Sequence, residues 1–262
     1  MTTIPAIVPP LPREHSWKRG LAPSAPYAWL SRGWKDFKAG INLSLAYGIM
    51  VFLVSSAIVL GLVSLGLDYI LFPAFAGFMV VGPMIAIGLY EKSRRLEAGE
   101  RVTLGRMIFV RPESNGQVLF IGVLLCLLML VWMRAAVIIY ALFFGVTPFP
   151  GLNHVAEMLF TTPTGWGMLV VGTAVGGLFA AFSFAISVVS VPMLLDRRVD
   201  ALTAMGRSLA LVWHNLPVML TWGAIVLALF LASLATGLLG LIVVFPLVGH
   251  GTWHAYRALW SE

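Results

Sequence analysis

The chain has 262 residues, 60% of them hydrophobic and 11% charged, with a net charge of +6. An ordinary soluble domain carries about 25% charge, so this composition excludes a water-solvated enzyme domain and points to lipid as the solvent. No nucleic-acid motif accompanies the positive charge, and nucleic acid is not an expected partner.

Residues 1–25 hold Pro, Trp and basic residues without an early apolar run. They read as a flexible cytoplasmic segment, with no secretory signal peptide. Six apolar runs follow at about 41–66, 69–90, 117–145, 166–195, 216–234 and 237–256, each near the roughly 20 residues that cross a hydrocarbon core. The membrane domain spans 26–258, and 259–262 form a short tail. The expected fold is all-α: six transmembrane helices arranged as three parallel-repeated hairpins, each preceded by a short interfacial helix.

Orientation follows from charge. Arg13, Lys18, Arg19, Arg32, Lys35 and Lys38 precede the first run. Lys92, Arg94, Arg95, Arg101, Arg106 and Arg111 lie between the second and third. Arg197, Arg198 and Arg207 follow the fourth, and Arg257 closes the sixth, so sixteen of seventeen basic residues share one face. The positive-inside rule places both termini in the cytoplasm of a bacterial inner membrane. On the other side lie Asp68, the "SLATG" turn and the piece from Thr147 to Gly165, where Asn153 is placed to cap a short helix that ends before Pro163. His154 and Glu157 share one face of that piece, as in a solvated turn.

The repeat shows in three helix ends: "GPMIAIGLYEKSRR" at Pro83, "VPMLLDRRVDAL" at Pro192 and "FPLVGHGTWHAYR" at Pro246. Each proline frees a carbonyl one turn earlier and predicts a kink. The stretches before Asn42, Asn115 and Asn215 are amphipathic, and Trp29, Trp34, Phe37 and Trp213 suit helices at headgroup level. Gly172, Gly176 and Ala180, four apart, predict close helix packing.

The polar residues near the spans are few. Cys126 sits in "IGVLLCLLML" and reads as a packing residue. Arg134 is the one basic residue within a span; an ion pair with Asp68 or Glu157, or snorkelling, is expected. Eight residues after the three prolines stand Glu91, Asp200 and His254; four after, Ile87, Asp196 and His250. If these ends converge, Glu91, Asp196, Asp200, His250 and His254 form a ligand or proton-handling cluster of the kind that suits Zn, Mn or Fe. Otherwise the acids pair with Lys92, Arg94, Arg197 or Arg198 at the membrane surface. No phosphate-cradling loop, metalloprotease helix or nucleophile–base set is visible, so an enzyme is not expected, and no cofactor is assigned.

"SLAYG" at Ser44, "VGPMIAIGLYEKSRRLEAGE" at Val81, "SVVSVPMLLDRRVDALTAM" at Ser187 and "LATGLLGLIVVFPLVGHGTWHAYR" at Leu234 carry a resemblance to a bacterial family of integral membrane proteins, domain of unknown function 2189. Some of its members bear the label of a cytochrome c oxidase subunit. The resemblance implies a respiratory-chain association without a catalytic residue, and with two histidines near a span the chain cannot be the catalytic oxidase subunit. The leading expectation is a non-enzymatic accessory or scaffold protein whose partners are the lipid bilayer and other membrane proteins such as respiratory-chain subunits. The alternatives are a small-solute or ion transporter or channel, and a membrane protein binding a metal or haem at His250 and His254.

Overall fold

The computed structural model describes residues 17–145 and 149–260, apart from the side chains of residues 152 and 153. Most of the 1–25 segment and the last two residues of the tail lie outside these. The described residues are helical, with no strand among them. In chain order they form α1 (Ala25–Lys38), α2 (Ile41–Ser64), a 3₁₀ turn (Asp68–Ile70), α3 (Leu71–Ile85) and α4 (Ile87–Glu97). Next come α5 (Leu104–Ile108), α6 (Asn115–Phe144), α7 (Leu152–Thr161), α8 (Pro163–Ser187) and α9 (Ser190–Asp196). The chain ends with α10 (Ala201–His214), α11 (Leu216–Ala235) and α12 (Leu241–Trp260).

Among the described residues, five helical stretches are long and apolar enough to cross a membrane: Ile41–Ser64, Asp68–Glu97, Asn115–Phe144, Pro163–Asp196 and Leu216–Ala235. The sixth, α12, has 20 residues but carries His250, Thr252, His254, Tyr256 and Arg257 in its second half, which removes it from that set. Helix ends follow local chemistry. Pro26 opens α1 and Lys35 and Lys38 sit in its last turn, where they complement the carbonyl end of the helix dipole. The Asp200 carboxylate accepts from the Thr203 N–H at 2.8 Å and caps α10. The α7 helix is capped by Gly151 and begins at Leu152, so Asn153 lies inside its first turn instead of at the cap.

The three prolines do different things. Pro83 lies in the last turn of α3, before the break at Ala86 that separates α3 from α4. Pro192 lies in the first turn of α9, just after a break at Val188 and Val189, where a missing N–H costs little. Pro246 is inside α12, which stays a single helix. Because proline donates no hydrogen bond, the Ile242 carbonyl four residues earlier loses its helical partner.

That carbonyl faces α2. A Cβ added to Gly48 would lie 2.1 Å from the Ile242 oxygen, so only glycine allows the approach. A second such contact joins α12 to α1, where a Cβ on Gly33 would lie 2.7 Å from the Gly251 nitrogen. Helix α12 thereby packs backbone to backbone against α1 and α2, and also against α4 and α11. Trp222 of α11, fully buried, closes this centre and meets Trp29 of α1 edge-on at 5.9 Å. Of the expected small-residue row on α8, Gly176 lies against the Trp132 ring, Gly172 faces open space and Ala180 lines an apolar cavity.

Gly48→Ala is expected to lower the midpoint of thermal unfolding in detergent by the equivalent of about 1–3 kcal/mol, the cost of overpacking. Gly172→Ala, with nothing near its Cβ, is expected to be neutral or to raise stability by up to about 1 kcal/mol through helix propensity. Equal responses from the two variants would contradict the α2–α12 contact.

Candidate functional site

The polar half of α12 is buried among α1, α2 and α4, and its two histidines are hydrogen-bonded to side chains of those helices. Lys92 and His250 are both fully buried. The Lys92 ammonium donates to Ser44 Oγ at 2.7 Å and to the carbonyls of Asp36 and Gly40 at 3.0 and 3.2 Å. It thus closes the carbonyl end of α1. Ser44 Oγ is 3.0 Å from His250 Nε2, and His250 Nδ1 is 2.9 Å from Ser93 Oγ. Separately, the Asp36 carboxylate on α1 lies with its Oδ2 2.9 Å from His254 Nε2.

The donor inventory assigns a direction. A lysine ammonium only donates and an ionised carboxylate only accepts. With each hydroxyl donating and accepting once, Lys92 donates to Ser44, Ser44 to His250 Nε2, and His250 Nδ1–H to Ser93. His250 is then a neutral imidazole protonated on Nδ1, with both ring nitrogens engaged. A buried cation on α4 stands at one end of this run, and the Asp36 carboxylate on α1 pairs with His254 one turn further along α12.

Asp36 lies on α1, outside the apolar spans. Burial pushes its carboxyl up, but hydrogen bonds from His254 and Ser93 and the electrostatic influence of His254 and His250 outweigh this, leaving it below its usual 3.8. Around this core run further ties. His254 Nδ1 lies 3.7 Å from Glu97, and Arg257 pairs with Glu97 at 3.3 Å and with Asp196 at 3.8 Å. The Tyr256 hydroxyl donates to Asp196 at 2.8 Å. Trp260, at the end of α12, lies beneath the guanidinium groups of both Arg197 and Arg207 at 5.5 and 5.3 Å.

The residues expected to converge are therefore divided. His250 and His254 belong to the α1–α4–α12 cluster, and Asp196 joins its edge through Tyr256 and Arg257. Glu91, 1% exposed, turns away to Arg94 at 2.8 Å and to Arg95, while Asp200 caps α10. No group of three or more His, Cys, Asp or Glu residues that could hold a metal forms among the described residues. Lys92, expected to pair with an acid at the surface, is instead internal. Arg134 is exposed on α6 and forms no ion pair with Asp68 or Glu157 among the described residues. It follows Trp132, whose indole donates to the Pro73 carbonyl at 3.0 Å near the start of α3, a level from which a long cationic side chain reaches the surface.

Sequence reasoning missed Asp36, Ser44, Ser93 and Glu97. Ser44 and Ser93 stand in the segments "SLAYG" and "EKSRR", but their partners lie 206 and 157 residues away, and one sequence carries no signal for that pairing.

A family model described as a predicted integral membrane protein, DUF2189, matches residues 71–196, from the start of α3 to the end of α9. Over this segment the chain is similar to that family. DUF2189 thus covers α4 with Lys92 and Ser93, while Asp36, Ser44, His250 and His254 lie outside the matched residues. Comparison with curated proteins gives no match, and comparison with solved structures gives none either.

Two outcomes check these contacts. His250→Leu leaves the Ser44 and Ser93 hydroxyls without their partner, and a loss of about 2–4 kcal/mol in unfolding free energy is expected from two deprived polar groups. Acid titration of stability carries its own sign. The contribution of Asp36 is fully present above pH 3.8, where the unfolded carboxyl is already ionised, and is lost as the pH falls through the lower folded value. Asp36→Asn should accordingly flatten the acid limb of a plot of unfolding midpoint against pH, measured from about pH 5 downward.

Proposed function

We propose that the chain is a non-enzymatic accessory or scaffold protein of a bacterial inner membrane. It enters the bilayer as three helical hairpins with six crossings and keeps both termini in the cytoplasm. The hairpins are α2 with α3–α4, α6 with α8–α9, and α11 with α12, and the basic residues at their shared end support this orientation.

One observation carries the accessory reading: the two histidines and the buried lysine at the basic end are spent on neighbouring polar groups. His250 offers no free nitrogen to a metal or haem while Ser44 and Ser93 hold it, and His254 is engaged by Asp36. These side chains fix α12 to α1, α2 and α4, which is the work of a scaffold. A respiratory complex is the first partner to test, because that label attaches to some members of the resembling family.

Isolation of the tagged chain in mild detergent, with an absorption spectrum and identification of co-purifying chains, addresses the role. A respiratory subunit recovered in constant ratio is the expected result. A partnerless chain carrying a haem band would replace this reading with a cofactor-binding one. Topology is checked separately in a Cys126→Ser background. Asp68→Cys and Thr236→Cys should react with an impermeant maleimide in intact cells, and Ser24→Cys and Arg198→Cys only after the membrane is opened. Failure of Thr236→Cys to react from outside would refute the sixth crossing.

A further inference from the structure

The basic end holds a second polar feature that the His250 chain does not use. Between α4 and α5 lies an open cleft of about 650 Å³, lined by Glu91, Arg95, Glu100, Arg106, Phe109 and Arg111. Three guanidinium groups thus face two carboxylates. Both carboxylates are already committed: Glu91 is held by Arg94 and Arg95, and Glu100 by Arg95. Arg106 and Arg111 form no ion pair among the described residues, so two cations on one wall of the cleft are left without a counter-charge.

The wall that carries them is fixed in place. Met107, between the arginines, is buried to 1% exposure. Its carbonyl lies 2.1 Å from where a Cβ of Gly88 would be, so α5 is pressed against α4. Thr103 caps the turn through the Arg106 N–H. On the same short element Phe109 is 79% and Ile108 45% exposed, two large apolar side chains beside the unpaired cations. From here Asn115 begins the long apolar helix α6.

Guanidinium groups bind phosphate through paired, charge-assisted hydrogen bonds, and exposed aromatic and aliphatic side chains at headgroup level take up acyl chains. We propose that the α4–α5 cleft holds the phosphate of an anionic phospholipid, with Arg106 and Arg111 on the phosphate and Ile108 and Phe109 against its chains. The apolar pair selects a lipid-borne phosphate over a soluble one.

The test uses the full chain in a neutral detergent, with lipid binding followed by native mass spectrometry. Phosphatidylglycerol is expected to bind at least about tenfold more tightly than phosphatidylcholine with the same chains, a factor within reach of one charge-assisted hydrogen bond. That preference should disappear in Arg106→Gln/Arg111→Gln and persist in Arg32→Gln/Lys35→Gln, which removes the same charge from exposed positions of α1. Inorganic phosphate at equal concentration should not displace the lipid. The proposal fails if wild type shows no preference, if both double variants lose it equally, or if inorganic phosphate competes as well as the lipid does.

Discussion

The packing of this protein's basic end depends on one requirement: a helix whose second half carries two histidines has to be buried with their imidazoles hydrogen-bonded. Two histidines, a threonine, a tyrosine and an arginine within α12 would each be costly in an apolar setting. The cost is offset because α1 supplies Asp36, α2 supplies Ser44 and α4 supplies Lys92 and Ser93, all within hydrogen-bond reach. Pairing the imidazoles matters because an unsatisfied group in a low-dielectric interior costs more than an apolar replacement, a cost that the indole N–H groups of Trp253 and Trp260 on the same helix do carry. Helices α1, α2 and α4 from the first part of the chain are thus committed with α12 from its end to a single mutual arrangement.

Backbone chemistry makes room for that arrangement. Pro246 removes a donor from α12 and exposes the Ile242 carbonyl, and Gly48 lets α2 close on it. The same replacement of side-chain bulk by direct backbone contact recurs at Gly33 and Gly251. Close approach increases dispersion contact between helices that gain nothing from the hydrophobic effect within lipid. It also brings Ser44 and His250, on the same two helices, to hydrogen-bonding distance.

Much of this was legible from residue order, for reasons that differ by level. Apolar runs between basic clusters mark membrane helices because lipid forbids other unpaired backbone, and α2, α6 and α11 fall close to the runs that announce them. The breaks at Ala86 and at Val188–Val189 adjoin two of the prolines, while α12 remains whole, because a proline in a helix held on several sides need not end it. The small-residue row on α8 illustrates a limit. Four-residue spacing identifies a face, but whether a backbone lies opposite depends on the neighbouring helix, and Gly33 and Gly48 have such a neighbour where Gly172 does not. Least legible was the site. Asp36 and His254 are 218 residues apart, and symmetry among the proline motifs pointed to Glu91 and Asp200, whose nearest partners are local.

The membrane helices are unequal in length. At a rise of about 1.5 Å per residue, the 30 residues of α6 extend about 45 Å and the 20 of α11 only about 30 Å. A bilayer meeting this perimeter faces two hydrophobic heights: lipid beside α6 must stretch or the helix must lean, whereas lipid beside α11 can stay at rest. Such mismatch costs fractions of a kcal/mol per Å, so the protein carries a built-in elastic asymmetry. It would orient the molecule within any membrane whose thickness varies, long side toward the thicker region.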